Sequence, residues 1–399
     1  MVPVPLPGRA AGGALKKAAI AIAALAAAFC IVPLPPRSTA ARLLAQSHGE
    51  GALRAGAAKV RIALPEHPVL AGYAGHRRAG SAAEPVHVRA IALEAGSARA
   101  ILVSVDTLLI PPGFFAPDGC ALVAATHTHT GPGGLWDNAV AGWMGAGSPD
   151  KEQRAAVERA LREAVGQAVA ALGPAELQMS REMWPQGPAR PRSEGRIDPE
   201  LVAMRLRRPS GDIVATAVIY AMHPTSAPRE ILSADWPAQL ETGAPVLVLQ
   251  GAGGNTTWER DKPIGPMIAI EIERLLASAP ALTALPLDCE VRSVSVPGAQ
   301  ASIRVPWLLR RAASNLLQLA FDPTATQTRL RIGPLALLGV PGEPVGELGL
   351  AARPEVLVGL SGGYLGYVET RERWERGGGE SAKTYFGPQL ARALGLEPR

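Results

Sequence analysis

Two of the chain's seven histidines stand one residue apart, in Thr126-His127-Thr128-His129-Thr130-Gly131-Pro132-Gly133-Gly134. Neutral imidazole nitrogens are good zinc ligands. In an extended segment residues i and i+2 point the same way, so both rings are expected to face one pocket. The Gly-Pro-Gly-Gly that follows lets the backbone turn sharply and approach a ligand closely. Taken alone the pair is ambiguous, because two polar loop histidines would read the same. Other side chains that could share the chemistry lie far along the chain. They are His223 in Met222-His223-Pro224-Thr225-Ser226, Glu343 in Val340-Pro341-Gly342-Glu343, and Tyr367, six residues after Ser361. Each also has an ordinary reading: a hydrogen-bonded core histidine, a carboxylate favouring a helix N-terminus, a sheet aromatic.

The elements that must position them are legible as short apolar strands alternating with helices. Strands are expected over Ala58–Leu64, Val86–Leu93, Ala100–Val105, Ala121–Ala125, Leu177–Ser180, Ile213–Ala221, Val246–Gln250, Arg329–Leu338 and Val356–Leu360. The clearest helix is Lys151–Leu172, polar on one face and rich in Ala, Val and Leu on the other. Weaker helices fit Pro266–Ala277, Trp307–Leu319, Val345–Ala352 and Pro388–Leu394. Every polar motif follows an apolar strand, and in open α/β sheets ligands gather where strands end. No repeat or linker divides residues 50–399. The expected fold class is therefore α/β, a mixed β-sheet core flanked by helices in one domain.

The 399 residues are 47% hydrophobic and 19% charged, the balance of a globular chain. The formal charge of +5 is local, because Arg9, Lys16, Lys17, Arg37 and Arg42 all precede the first acidic residue, Glu50. Beyond that point the chain is balanced and carries no nucleic-acid-binding pattern, which argues against nucleic acid as a partner. Residues 1–45 read as a signal peptide or N-terminal membrane anchor: basic residues precede the uncharged apolar run 18–34. Either reading places residues 46–399 outside the cytoplasm, periplasmic or secreted, with anchoring through 18–34 in the second case. Cys30 lies in that segment, leaving Cys120 and Cys289 as an open disulfide question and no cysteine metal motif.

Together the motifs resemble those of the neutral (alkaline, non-lysosomal) ceramidases. The family's T-H-T-H-S-G-P-G-G is similar to residues 126–134, its H-x-T-S to 223–226, and its Q-x-x-x-G-[DN]-x-S loop to 250–257. Its V-P-G-E is similar to 340–343 and its G-L-x-N-x-Y-x-x-Y to 359–367, all in the same order. The later T-x-F-G-P pattern also stands at 384–388. The resemblance spans about Ala71 to the C-terminus. It implies a ceramidase-like catalytic domain, one bound Zn²⁺ and His127, His223, Glu343 and Tyr367 as its ligands. It further implies His129 as the proton-carrying neighbour, Thr257 in place of a catalytic serine, and Arg190, with Arg192 as rival, near the reacting carbonyl. The implied reaction is hydrolysis of an amide in a small lipid or N-acyl substrate by metal-activated water, at or near a membrane surface. Hydrolysis of another ester, lactone or amide, or a non-catalytic tethered binding protein, are the competing readings. Amidohydrolase barrels also use H-x-H, but they need later histidines and only His223 follows here.

Departures bear on the substrate. Gly362 replaces the family asparagine. A tyrosine that helps hold the carbonyl oxygen falls, by ungapped counting, on Gly379, with Tyr385 or Trp374 as possible substitutes. The family's C-terminal immunoglobulin-like domain has no expected counterpart here.

Overall fold

A computed structural model describes Phe29 and residues 31–37, 40–114, 119–240 and 243–397. Most of the segment read as a signal or anchor therefore lies outside the described residues. Among those described, no helix is long and apolar enough to cross a membrane.

Two sheets face each other. The larger, nine-stranded, runs from Val356–Val358 through Leu335–Gly339, Thr326–Ile332, Ala284–Ser293 and Leu43–Arg61. It continues through His87–Ala95 and Ala98–Val105 to Ala121–Ala125, and the short Gly173–Pro174 pairs with Leu43–Arg61 beside this path. The smaller, five-stranded, runs from Val246–Gln250 through Ile213–Tyr220, Glu200–Arg207 and Glu176–Met183 to Ala281–Leu282. Between them lies an apolar core to which both contribute, Leu93, Leu102 and Leu122 meeting Val202, Ile219 and Leu249. The outer face of the large sheet is covered by helix Lys151–Ala170 through Val157, Leu161 and Ala164. The outer face of the small sheet is covered by helix Ile264–Ala277 through Ile268, Ile272 and Leu275. The result is four layers, helix–sheet–sheet–helix. Strands covered on both faces read as unbroken apolar runs, as Ala121–Ala125 and Val246–Gln250 do although each ends its sheet.

The expected α/β class holds, and Ala121–Ala125 and Val246–Gln250 have the expected bounds. Arg329–Leu338, expected as one strand, is a hairpin turning at Gly333, whose φ of 59° is accessible to glycine. The first strand begins at Leu43 rather than Ala58, because its polar first half pairs with Ala284–Ser293 and needs only one covered face.

Cys120 and Cys289, the pair left open by the sequence, are joined in a buried disulfide that spans 169 residues. A cross-link across so long a loop restricts the unfolded chain strongly. Removing it in a Cys120→Ala/Cys289→Ala variant is expected to lower stability by about 2–5 kcal/mol. Urea unfolding of the two proteins measures this, and coincident midpoints would show the bond to be dispensable.

Candidate metal centre

Three parallel strand pairs end on one rim of the molecule. His127 follows Ala121–Ala125 by two residues, His223 follows Ile213–Tyr220 by three, and Glu343 follows Leu335–Gly339 by four. Tyr367 reaches the same rim through a short parallel pairing with Glu343. Gln250, at the end of Val246–Gln250, locks the loops together. Its side-chain amide donates to Thr126 O at 2.9 Å and its oxygen accepts from Met222 N at 3.3 Å. One side chain thus fixes the residues preceding both His127 and His223. The backbone adds His129 N donating to Pro224 O at 3.2 Å.

The convergence of His127 and His129 has a different origin from the strand alternation expected. His127 has φ 68°, the left-handed region, so the segment is a turn. Its amide donates to Thr107 O, which holds it there. The rings still meet, with centroids 4.9 Å apart, and His223 lies 4.6 Å from His127. Gly72 serves close approach: a Cβ there would collide with the His129 backbone. Its own carbonyl accepts from His129 Nδ1 at 2.8 Å.

Each imidazole turns a lone pair inward. His127 Nδ1 lies 2.8 Å from Leu108 O and His129 Nδ1 as close to Gly72 O. A carbonyl only accepts, so both Nδ1 atoms carry the proton and both Nε2 atoms are bare. His223 Nε2 faces Arg192 Nη1 at 3.4 Å, and a guanidinium only donates, so this nitrogen is bare too. Glu343 Oε2 stands 3.2 Å from both His127 Nε2 and His223 Nε2. His127 Nε2, His129 Nε2 and Glu343 Oε2 are buried without a hydrogen-bond partner. Lone pairs pressed on one another in a dry site repel unless a cation lies among them.

The spacing fits zinc. Ligand atoms about 2.0–2.1 Å from a tetrahedral zinc stand about 3.3 Å apart, and the His127–Glu343, His223–Glu343 and His223–Tyr367 atom pairs are 3.2, 3.2 and 3.4 Å apart. His127, His129 and His223 also form a group whose ligand atoms all lie within 4.8 Å of one another. His129 is therefore nearer the cluster than its expected non-ligand role required. It is the half-buried member, edge-on to Tyr73 at 5.4 Å, and so stands at the mouth.

Burial sets the charges. It pushes the His129 pKa well below 6.5, and the neighbouring His127 and His223 push the same way. Burial and then Arg192 bring His223 down to about 4. Glu343 keeps its carboxyl well below the usual range against burial only with positive charge beside it, on the facing imidazoles or on a cation among them. Burial and Glu343 keep the Tyr367 phenol protonated well above its ordinary value. The set is two or three neutral nitrogens, one carboxylate and one phenol, a net negative pocket suited to a divalent cation.

Two solved structures share this architecture. A crystal structure of neutral ceramidase from Pseudomonas aeruginosa superposes with a TM-score of 0.72, covering 86% of this chain and 73% of that one at 19% identity. A ceramidase complexed with C2 gives 0.71, with the same coverage and 18% identity. The chain has a neutral ceramidase-like fold. No protein-family model and no curated protein matches it.

The remaining expected residues sort on this ceramidase-like frame. Thr257 stands in the short strand Thr256–Trp258, in register with Arg190 of Ala189–Pro191. Arg190 Nε donates away from the cluster, to Trp258 O at 2.9 Å. The rival Arg192 is the arginine at the site, its Nη2 donating to the Tyr367 hydroxyl and to Glu380 Oε1, each at 2.9 Å. Lys383 flanks the Tyr367 ring from 4.9 Å. At Gly379 a Cβ would meet the Glu369 carboxylate, which would have to shift, and the φ of 49° favours glycine. Tyr385 stacks on Phe321 at 4.5 Å and Trp374 is buried. Sequence reading missed three partners. Tyr364 donates to Glu343 Oε1 at 2.7 Å, Glu380 anchors Arg192, and Gln250 ties the loops. Tyr364 and Gln250 sit inside the motifs already singled out, so their position was the available signal.

Proposed function

We propose that the chain is a zinc-dependent hydrolase of the amide bond in an N-acyl lipid of ceramide type, releasing a fatty acid and an amine. What carries the reading is one observation: Glu343 Oε2 lies 3.2 Å from the bare Nε2 atoms of both His127 and His223. The shared architecture with proteins titled ceramidase supports the substrate class. His127, His223, Glu343 and Tyr367 would hold the metal, with Tyr364 fixing the carboxylate that Tyr367 faces. Bound there, zinc would supply a positive charge that polarises a carbonyl and lowers the pKa of a water towards about 7.

The chain's own residues supply the rest. His129, neutral and half-buried, is placed to take a proton and return it to the departing amine, without which an amide leaves poorly. Arg192, held by Glu380, keeps the Tyr367 hydroxyl oriented and adds positive charge where a carbonyl oxygen would become anionic. Arg190 and Thr257 line the neighbouring strand pair and would contact substrate beyond the reacting atoms.

The test is release of fatty acid from a fluorescent ceramide, with and without chelator. Activity lost to chelator and restored by zinc is the expected result. A second reading, hydrolysis of another ester, lactone or amide, is favoured by Gly379, which offers no side chain where the resemblance expects a tyrosine. Turnover of simple esters but not ceramides would select it. Full zinc occupancy with no hydrolysis of either would select a non-catalytic binding protein.

A further inference from the structure

Helix Trp307–Ala320 is built inside out. Ser314, Asn315 and Gln318 face the protein and are buried. Each is used: Ser314 Oγ accepts from Ala301 N at 3.0 Å and Gln318 Oε1 from Ala299 N at 2.7 Å. Asn315 accepts from Leu34 N at 2.9 Å and donates to Phe29 O and Val32 O at 2.6 and 2.8 Å. Leu308, Leu309, Leu316 and Leu319 lie outward in one stripe at helical spacing, each about half exposed or more, and Trp307 is 76% exposed. A surface helix in water normally has the opposite polarity, so this stripe is arranged for an apolar neighbour.

Three observations identify that neighbour. Ile31 and Val32, at the end of the uncharged apolar run 18–34, are exposed, and Asn315 of the helix bonds Phe29, Val32 and Leu34, so the described end of the run meets the body on this face. The surrounding sequence leans basic: Arg304, Arg310 and Arg311 lie in or just before the helix and residues 1–49 are free of acid, while Glu290, paired with Arg292, and Asp322 flank the segment. A second exposed group adjoins. Asn138 donates to Ala320 O at the helix end, and the segment it caps presents Val140, Met144 and Trp143, the last 63% exposed. That segment in turn holds the mouth of the site, Gly145 O accepting from Gly72 N, whose carbonyl orients His129.

We propose that the face formed by helix Trp307–Ala320 and the segment Val140–Met144 docks on an anionic lipid bilayer. Trp307, Trp143 and the leucine stripe enter the headgroup–acyl boundary while the arginines meet lipid phosphate. The mouth at His129 then opens towards the surface where an N-acyl lipid resides. This rests on the reading above for its purpose, but the docking is measured without hydrolysis.

Residues 1–45 contain no tryptophan, so quenching of tryptophan fluorescence by bromine-labelled lipid reports docking of the body and not of the N-terminal run. The full chain is mixed with vesicles of phosphatidylcholine and phosphatidylglycerol in which the phosphatidylcholine carries bromine. Strong quenching is expected, largely removed by Trp307→Phe/Trp143→Phe. Leu309→Glu/Leu316→Glu, at positions outside the metal site, should shift the docking equilibrium by about 100-fold. It should also slow hydrolysis of vesicle-borne substrate while sparing a soluble short-chain one. Vesicle binding with no quenching from these tryptophans would overturn the proposal, as would a dimer that the glutamates dissolve in a chain indifferent to vesicles. Quenching that persists in a chain hydrolysing nothing would instead remove the catalytic reading and leave the docking face standing.

Discussion

Dialysed protein is expected to carry about one zinc per chain, and His127→Ala to carry less than a tenth of that. His127 is the residue whose nitrogen has least alternative: it is 3% exposed, its Nδ1 is committed to Leu108 O, and its Nε2 has no hydrogen-bond partner. Alanine also disfavours the left-handed backbone at this position, so His127→Asn is the companion variant, since asparagine tolerates that region. Both should lose the metal while keeping the far-ultraviolet circular dichroism of the parent. His129→Ala separates the roles: zinc should stay near parental occupancy while turnover falls about 10²–10⁴-fold. Metal analysis showing equal zinc in the His127 variants would reject the ligand assignment. Loss of zinc from His129→Ala would make that residue a ligand and leave proton transfer to another group.

Replacing Asp106 by alanine is expected to destabilise the chain by about 3–5 kcal/mol. Asp106 is fully buried, and its Oδ2 accepts from Arg89 Nη1 and from His87 N, both at 2.8 Å. Removing the carboxylate takes the Asp106 charge away from a guanidinium that is only 2% exposed. Replacing both partners, as Arg89→Met/Asp106→Leu, should recover the part of the loss that comes from charge, while His87 N still loses its acceptor. Denaturant unfolding of the three proteins decides this, and a loss below about 1 kcal/mol in Asp106→Ala would show the pair to be poorly coupled to folding. The site should feel the change as well, since Asp106 is followed by Thr107, whose carbonyl positions His127.

The parts of the molecule that announce themselves in the sequence are those governed by burial on both faces. Ala121–Ala125 and Val246–Gln250 are unbroken apolar runs and have the expected bounds. A strand with one well-covered face was harder to see: Ala284–Ser293 alternates buried apolar residues with charged ones. Glu200–Arg207 is covered on both faces, but its apolar run Leu201–Met204 is short and charged residues close both ends. The site was legible as residue types at strand ends, because chain order says where loops begin. Which arginine reaches the phenol was not legible. Arg190 and Arg192 are two residues apart, and only the pairing of Ala189–Pro191 with Thr256–Trp258 decides that the first turns to Trp258 O and the second to Tyr367. Nor could Glu380 be foreseen, since its role depends on that choice.

His127 and Glu343 end strands of one sheet and His223 ends a strand of the other. A cation among them therefore sits on the seam between the two halves of the sandwich. Filling the site would rivet those halves together at this rim, so that an ion there would act as a hinge pin whatever chemistry it supplied. Any sliding of one layer past the other would be felt first as a change in the ion's grip.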